Sequence, residues 1–473
     1  MTRVLLVEDD DSSIQAVCDI LEGLPGRVVP TVAKTRDDAI RLLKVELFDL
    51  MILDLTIPAT ETTEKGQPEF GFAVFGSAKE IAPGMPIFVL TGSSVESFVP
   101  EMLRNAQNVD VWSSGKVNTV SLLKKIKLAE FPSALTPYID GPHQLDDVEL
   151  ERNGVTLSIM EERLLRIFAK RFHGVRCIVK ELNGGLSGAR VLRVALQNAQ
   201  GRYINHAVGK IGALADIQNE KMLYEQHIVN LPPQATPRLL TALEFGAKAT
   251  AAIFYGLADG HDSSFFQFLE RHAGLCDVAV QRTADGLAPW REAAEQSVRL
   301  VREFRRRLLS DEERTEVLRR VPIAWADEFE NRKVPTKWGC IHGDCHGGNV
   351  LLTADGTPAV IDYGDIGVGP LSLDPIALEL SLFFHPSGPL VASDWPDAAT
   401  AAAWGNLDQY LVGCPYPAYI RACRKWATDM AVGYREMAAS VYSYLLRQLK
   451  YEGTNKQRVL DLLEGARQLF DST

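Results

Sequence analysis

The sequence predicts an α/β domain with a doubly wound, five-stranded parallel sheet, followed by a bilobal α+β domain. Three observations predict this. From residue 1 to about 130, short apolar runs alternate with amphipathic helical patterns in a βαβ rhythm. Beyond residue 175, β-branched runs flank a glycine-rich turn, and from Phe265 onward the pattern is predominantly helical. With 473 residues the chain can form two or three domains, each burying its own core.

In order, strands are expected at 4–7 and 50–53 and helices at 13–24 and 37–44. A helix at 72–81, a strand at 86–90, a helix at 97–105, a fifth strand at 110–113 and a last helix at 120–129 complete the first domain, residues 1–130. Residues 131–153, rich in Pro, Asp, Gly and His and broken by Pro132, Pro137 and Pro142, read as a linker. The β-rich lobe covers 154–258: a leading helix at 161–172, strands at 177–181, 191–196 and 203–208, a helix at 216–229 and a strand at 251–255. Residues 259–473 form the helical lobe, with strand-like pieces at 340–352 and 358–362.

Bulk properties exclude several classes. A formal net charge of -11 and a pI near 5.4 argue against sequence-independent binding to nucleic acid or anionic lipid. The run Arg305, Arg306, Arg307 is followed by Asp311, Glu312 and Glu313 and reads as a solvated helix face. The opening is too short for a signal peptide and no apolar stretch reaches transmembrane length, so a cytoplasmic protein without a membrane partner is expected. Seven irregularly spaced cysteines make neither a disulfide ladder nor CxxC metal pairs, and Cys340 and Cys345 are expected as buried small residues.

The segment Ile341-His342-Gly343-Asp344-Cys345-His346-Gly347-Gly348-Asn349 is followed closely by Ile361-Asp362-Tyr363-Gly364-Asp365. Phosphoryl transfer from ATP demands metal ions that bridge the phosphates and a carboxylate that positions the attacking hydroxyl. Asp344 suits the hydroxyl, and Asn349 and Asp362 offer the hard oxygens that Mg²⁺ takes. The two motifs resemble the HGDxHxxN and IDxxD patterns of the aminoglycoside phosphotransferase and choline kinase-like family, which shares a protein-kinase-like fold. The resemblance implies Asp344 as catalytic base, Asn349 and Asp362 as metal ligands, and His342 and His346 as supports of the loop. Cys345 stands where that family usually has an apolar residue. Asp365 is expected at the metal or the loop backbone, and Asp374 as the cap of the next helix.

The phosphates of ATP need a cradle, and Gly184, Gly185, Ser187 and Gly188 lie in a turn between two expected strands, where glycines let backbone N–H groups approach. Downstream, Lys210 on a strand suits the α and β phosphates, with Glu220 on the following helix as its acidic partner and Glu225 in reserve. A Walker-type loop is excluded, because Lys210 lacks both the earlier glycine and the following Ser or Thr. Adenine is expected near Phe254-Tyr255-Gly256-Leu257-Ala258.

In the first domain Glu8, Asp9 and Asp10 end the first expected strand, Asp54 the third and Thr91 the fourth, and Lys116 follows the fifth. Strand ends on one edge of a parallel sheet converge, which is where ligands bind. The arrangement resembles the response-regulator receiver domain. That resemblance implies phosphorylation at Asp54, Mg²⁺ at Asp9 and Asp10, a switch hydroxyl at Thr91 and a phosphate-binding lysine at Lys116. It departs from the pattern at Val117, where Pro is usual, and in a longer loop after Pro58 that rejoins the expected helix at Phe70-Gly71-Phe72.

Together the resemblances describe an α/β doubly wound receiver followed by an α+β bilobal kinase-like domain, using ATP and Mg²⁺ to phosphorylate a hydroxyl. A sensor histidine kinase is the implied phosphodonor, a small molecule or a protein the acceptor, and the receiver a surface for homodimers. A pseudokinase-type adaptor that binds nucleotide without turnover is the alternative. A DNA-binding regulator fails, because the second half has no compact module with a basic recognition helix. Trp404, Tyr410, Trp426 and Tyr444 are available to an acceptor pocket, but at helical spacing such residues are usually core.

Overall fold

In a computed structural model of the chain, β1 (Thr2–Val7) pairs in parallel with β2 (Val28–Ala33) and with β3 (Leu50–Asp54). The described residues are 1–63, 65–91, 99–104, 106–125, 130–182, 189–229, 231–233, 235–256 and 260–473. They divide into two compact units, Met1–Gln218 with Leu239–Gly256, and Asn219–Arg238 with Leu257–Thr473.

The helices of the first domain are α1 (Asp11–Glu22), α2 (Arg36–Val45), α3 (Pro68–Ile81) and α4 (Val99–Arg104), and β4 (Ile87–Thr91) lies beside β3. A two-residue hairpin, β5 (Asn108–Val109) with β6 (Val117–Asn118), precedes β7 (Val120–Lys124). The sheet order is β2-β1-β3-β4-β7, a doubly wound sheet whose strand order reverses between β1 and β3. The fifth strand is therefore 120–124 and not 110–113, and no helix occupies 120–124. The run Val120-Ser121-Leu122-Leu123 is short enough to satisfy either period, and parallel pairing with β4 decided it.

Residues 131–143 are a helix, α5 (Phe131–His143), and not part of a linker. Pro132 lies in the first turn, where its missing N–H costs nothing, but Pro137 and Pro142 are interior. Each interior proline costs about 3 kcal/mol. The buried side chains of Phe131, Leu135, Tyr138 and Ile139 return roughly 1.5–3 kcal/mol apiece and outweigh it.

The β-rich lobe follows with β8 (Glu149–Glu151), α6 (Ile159–Arg171), β9 (Arg176–Glu181), β10 (Arg190–Gln197), β11 (Tyr203–Ala213), α7 (Leu214–Leu223), β12 (Arg238–Leu243) and β13 (Thr250–Gly256). Its sheet order is β12-β13-β11-β10-β9-β8, with β8 added in parallel from within the expected linker. Ser158 and Glu161 form a capping box at the start of α6.

The receiver-type sheet and this lobe share one core. One face of the first sheet (Val4, Leu6, Ile52, Phe88) packs with α1 and α5, and the same cluster continues through Leu164 and Phe168 of α6 to Val179, Val194 and Phe254 of the second sheet. Phe168 and Phe254 stack with centroids 3.9 Å apart. The other face (Leu5, Val7, Met51, Leu53) is closed by α2 and α3 in a separate cluster. Polar ties reinforce the join. Arg163 pairs with Asp49, whose side chain is 1% exposed, Arg171 donates to Ser113 Oγ at 3.1 Å and to Thr241 Oγ1 at 2.8 Å, and Lys248 Nζ donates to the Lys44 carbonyl at 3.1 Å.

The second unit contains β14 (Ser263–Ser264), α8 (Phe265–Arg271), α9 (Cys276–Gly286), α10 (Ala288–Glu292), β15 (Glu295–Leu300), α11 (Val301–Arg306), α12 (Asp311–Arg320) and α13 (Ala326–Glu330). Then come β16 (Lys333–Ile341), β17 (Val350–Leu352), β18 (Pro358–Val360), β19 (Gly367–Pro370), α14 (Leu373–Phe384), α15 (Ala398–Ala402), α16 (Leu407–Tyr410), α17 (Pro417–Met430), α18 (Tyr434–Gln448) and α19 (Lys456–Ser472). Two three-stranded sheets, β14-β17-β18 and β15-β16-β19, interrupt the helices.

Arg305 is not on a solvated face. It is buried and paired with Glu330 at 2.9 Å, and Glu330 also accepts from Arg314 and from the Tyr442 hydroxyl. Burial opposes the charge on Glu330, but the two guanidiniums outweigh it and hold its pKa below the usual value. Among the described residues, no helix is long and apolar enough to cross a membrane.

Leu135→Ala in α5 should cost about 2–5 kcal/mol. Because the core is shared, calorimetry should show the receiver-type sheet and the β-rich lobe losing stability in one transition. Two separate transitions, only one of them lowered, would contradict a common core.

Candidate functional site

Parallel register puts Val7 opposite Leu53, so the residues that follow β1 and end β3 emerge at the same edge. Ligand oxygens of Glu8, Asp9 and Asp54 all lie within 4.8 Å of one another. Such a set of hard oxygens suits Mg²⁺. Asp10 is turned away. Its carboxylate caps α1, accepting the Ser13 N–H at 2.8 Å, so Glu8 takes the place the sequence reading gave to Asp10. An acidic run at a strand end is ambiguous by one residue, because side chains alternate faces and the helix start claims one of them.

The lysine at this edge is Lys125, not Lys116. Lys125 Nζ lies 2.8 Å from both Glu8 Oε2 and Asp54 Oδ2, whose side chains are 1% and 8% exposed. Burial works against the Lys125 charge, but its hydrogen bonds to Asp54 and Glu8 prevail and raise its pKa. Burial, with the charge of Asp54 adding to it, raises the pKa of Glu8, and burial does the same for Asp9. Lys116 sits in the β5–β6 hairpin and lines a cleft with Asp110, Arg171 and Phe245. The missed signal was the lysine pair that ends the apolar run at 120–123, which marks a strand end once that run is read as β. Thr91 ends β4 opposite Lys124, and its side chain lies outside the described residues.

Gly71, within α3, lies against the end of β3. A Cβ there would fall 2.3 Å from the Leu55 carbonyl oxygen, so only glycine lets the helix approach the strand that carries Asp54.

In the second unit, the loop between β16 and β17 and the turn after β18 are held together by the antiparallel pairing of Val350 with Val360. Ile361 donates its N–H to the Asn349 carbonyl at 2.9 Å, and His342 Nε2 donates to the Ile361 carbonyl at 3.1 Å. Asn349 Nδ2 donates to the Asp344 carbonyl at 3.0 Å. These bonds bring the backbones that carry Asp344, Asn349 and Asp362 into one cluster. Gly343 (φ +82°) and Asp362 (φ +66°) both adopt left-handed backbone, and a Cβ on Gly343 would meet the Asp365 carbonyl oxygen at 2.3 Å.

Asp374 does not cap α14, whose N-cap position is Ser372. Its buried carboxylate accepts the N–H groups of His342 at 2.8 Å and Gly343 at 3.0 Å, fixing the start of the loop. Burial raises its pKa despite those bonds. The Asp365 backbone carbonyl accepts from Arg307.

Asp344 is flanked by Arg447 Nη1 at 3.0 Å from Oδ1 and by His346 Nε2 at 3.6 Å from Oδ2. Burial works against its charge, but His346, Arg447 and His342 outweigh this and hold its pKa below the usual value. The His346 ring stands 4.4 Å from that of His385, whose pKa burial pushes down to about 4. Cys345 is fully buried, as expected, whereas Cys340 is partly exposed. Arg447 was missed because it lies 103 residues from Asp344 and carries no motif of its own.

Lys210 lies in β11 between Val191 of β10 and Ile253 of β13 and is 8% exposed. Glu220 is on α7 and 1% exposed. Gly184, Gly185, Ser187 and Gly188, with Leu257 and Ala258, lie outside the described residues. Trp404, Tyr410, Trp426 and Tyr444 are buried. The Arg424 guanidinium lies 3.4 Å over the Trp404 ring, and Trp404 Nε1 donates to Glu379, so these aromatics are core.

Residues 264–410 match the model of the phosphotransferase enzyme family (APH). A search of curated proteins finds no match. Among solved structures, an aminoglycoside-3'-phosphotransferase of type VIII is 18% identical, covering 57% of this chain and 100% of its own, at a TM-score of 0.33. A thermostable mutant of aminoglycoside phosphotransferase APH(4)-Ia, in ternary complex with ADP and hygromycin B, is 13% identical over 62% of this chain and 93% of its own, at 0.36. The receiver domain of a Pseudomonas aeruginosa PAO1 sensor histidine kinase, with magnesium coordinated in its active-site cleft, is 20% identical over 29% of this chain and 98% of its own, at 0.22. Residues 264–410 are thus similar to the phosphotransferase enzyme family, and they lie C-terminal to a five-stranded doubly wound parallel sheet.

Proposed function

We propose that the protein is an ATP- and Mg²⁺-dependent phosphotransferase that moves the γ-phosphate to an acceptor hydroxyl, under control of an N-terminal receiver phosphorylated at Asp54. The observation that carries the first part is the bonded cluster of Asp374, His342, Asn349 and Ile361. It joins two loops and so holds Asp344 near the metal-ligand candidates Asn349 and Asp362. In this reading Asp344 would orient the hydroxyl and take its proton, and Asn349 and Asp362 would hold Mg²⁺, which would neutralise phosphate charge. Lys210 is proposed for the α and β phosphates, and Glu220, Gly184, Gly185, Ser187 and Gly188 as further nucleotide-binding residues. Lys210 is 8% exposed, and lysines are rarely that buried unless an acceptor compensates the charge.

The oxygens of Glu8, Asp9 and Asp54 support the second part, with Lys125 placed to bind the acyl phosphate formed at Asp54. A sensor histidine kinase is the proposed phosphodonor, and Mg²⁺ the metal at this edge.

Purified full-length protein should consume MgATP, and Asp344→Ala should lower the rate by about 10²–10⁴-fold while nucleotide binding persists. Binding without consumption in the unaltered protein would instead leave a nucleotide-dependent adaptor. An acyl-phosphate donor with Mg²⁺ should place one base-labile phosphate on the chain, lost in Asp54→Asn and on chelation of the metal. A phosphate mimic at Asp54 should change the rate of ATP consumption, and equal rates with and without it would discard the regulatory link.

A further inference from the structure

From Trp338 to Ile420 the chain contains no lysine or arginine, although this stretch carries Asp344, Asp362, Asp365, Asp374 and Glu379. The cation beside Asp344 therefore comes from far along the chain. Arg447, in the last turn of α18, places Nη1 3.0 Å from Asp344 Oδ1, with the two side chains 20% and 26% exposed. On the other side, His346 Nδ1 accepts the Gly348 N–H at 3.1 Å, so a neutral His346 carries its proton on Nε2, facing Asp344 Oδ2.

Helix α18 is held firmly enough to aim this arginine. Glu436 in its first turn accepts the Val432 N–H at 2.8 Å and the Ser372 hydroxyl at 3.2 Å, and Ser372 also bonds Ser440 at 2.8 Å. Further along, Tyr442 donates to Glu330 at 2.9 Å. Ser372 lies two residues before Asp374, so the helix that carries Arg447 is tied to the segment that fixes the loop of Asp344.

We propose that Arg447 is the positioning residue for Asp344. Its guanidinium, charged at every working pH, holds Oδ1 and stops the carboxylate from rotating, which leaves Oδ2 to receive the acceptor hydroxyl. The inference rests on the reading of Asp344 as the base, and it adds a residue that no local motif marks.

The test uses the full chain with MgATP, water serving as the acceptor, and compares Arg447→Met, Arg447→Lys, Asp344→Ala and the double variant Arg447→Met with Asp344→Ala. Arg447→Met should lower kcat by about 10²-fold, the cost of a misplaced reacting group, with KM for MgATP within about twofold of the unaltered value. Arg447→Lys, which keeps the charge without the fork, should recover roughly tenfold of that loss. In the Asp344→Ala background, Arg447→Met should cost nothing more. The proposal is overturned by an unchanged or faster Arg447→Met, by a rise in KM without a fall in kcat, or by losses that add in the double variant. Should Arg447→Met not fold, judged by its thermal transition, Arg447→Lys decides, and full activity or an activity as low as Asp344→Ala counts against the proposal. An unaltered protein with no turnover defeats the reading of Asp344 and this inference together. Turnover that Asp344→Ala abolishes and Arg447→Met leaves intact defeats this inference alone.

Discussion

The phosphotransferase-like unit depends on one buried carboxyl group. Asp374 takes the N–H groups of His342 and Gly343, and its burial is so complete that the charge is disfavoured even with both bonds made. Left without that acceptor, each buried amide would cost about 1–3 kcal/mol, so the loop has little freedom to leave its place. The rest follows from that anchorage. The left-handed turn at Gly343 sends the chain towards Asp344, Asn349 returns a hydrogen bond to the Asp344 carbonyl, and the β17–β18 hairpin delivers Asp362 beside them.

The two acidic centres handle their charge in similar ways. At the sheet edge, Lys125 bridges Glu8 and Asp54 at the same distance from each. In the loop between β16 and β17, Arg447 and His346 flank Asp344. Both cations approach from sequence-distant segments, and both meet carboxylates that would otherwise repel a neighbour or take up a proton. A lysine can follow a ligand that changes shape, because its ammonium is a point charge on a flexible stem. The planar fork of an arginine instead fixes an orientation, as the proposed role of Arg447 requires.

The shared core of the first unit bears on how the edge of the parallel sheet could be coupled to the β-rich lobe. Helix α5 packs one side of the parallel sheet and belongs to the same cluster as Phe168 and Phe254. β13, which carries Phe254, leads towards the stretch expected to meet adenine. Close-packed interiors transmit small displacements because they have few voids to absorb them. A change at the end of β3 or β4 therefore has a continuous path of packed side chains as far as β13.

The sequence alone determined what depends on local pattern. The βαβ rhythm located three of the five parallel strands, those at 4–7, 50–53 and 86–90, and left Val28–Ala33 unassigned, while the paired motifs at 342–349 and 361–365 marked which residues to consider for phosphoryl transfer, because turn chemistry and short-range spacing are written in consecutive residues. It misplaced the fifth strand, and with it the lysine, because four residues between turns satisfy a helix or a strand equally. It broke α5 at Pro137 and Pro142 because the apolar face that overrides two prolines finds its partners in α1 and in β1 and β4 of the parallel sheet, more than forty residues earlier in the chain. It also passed over Arg447 and the true work of Asp374. Only the tertiary structure decided these, since a buried charge is placed by whatever groups the fold brings to it, and those groups can lie a hundred residues away.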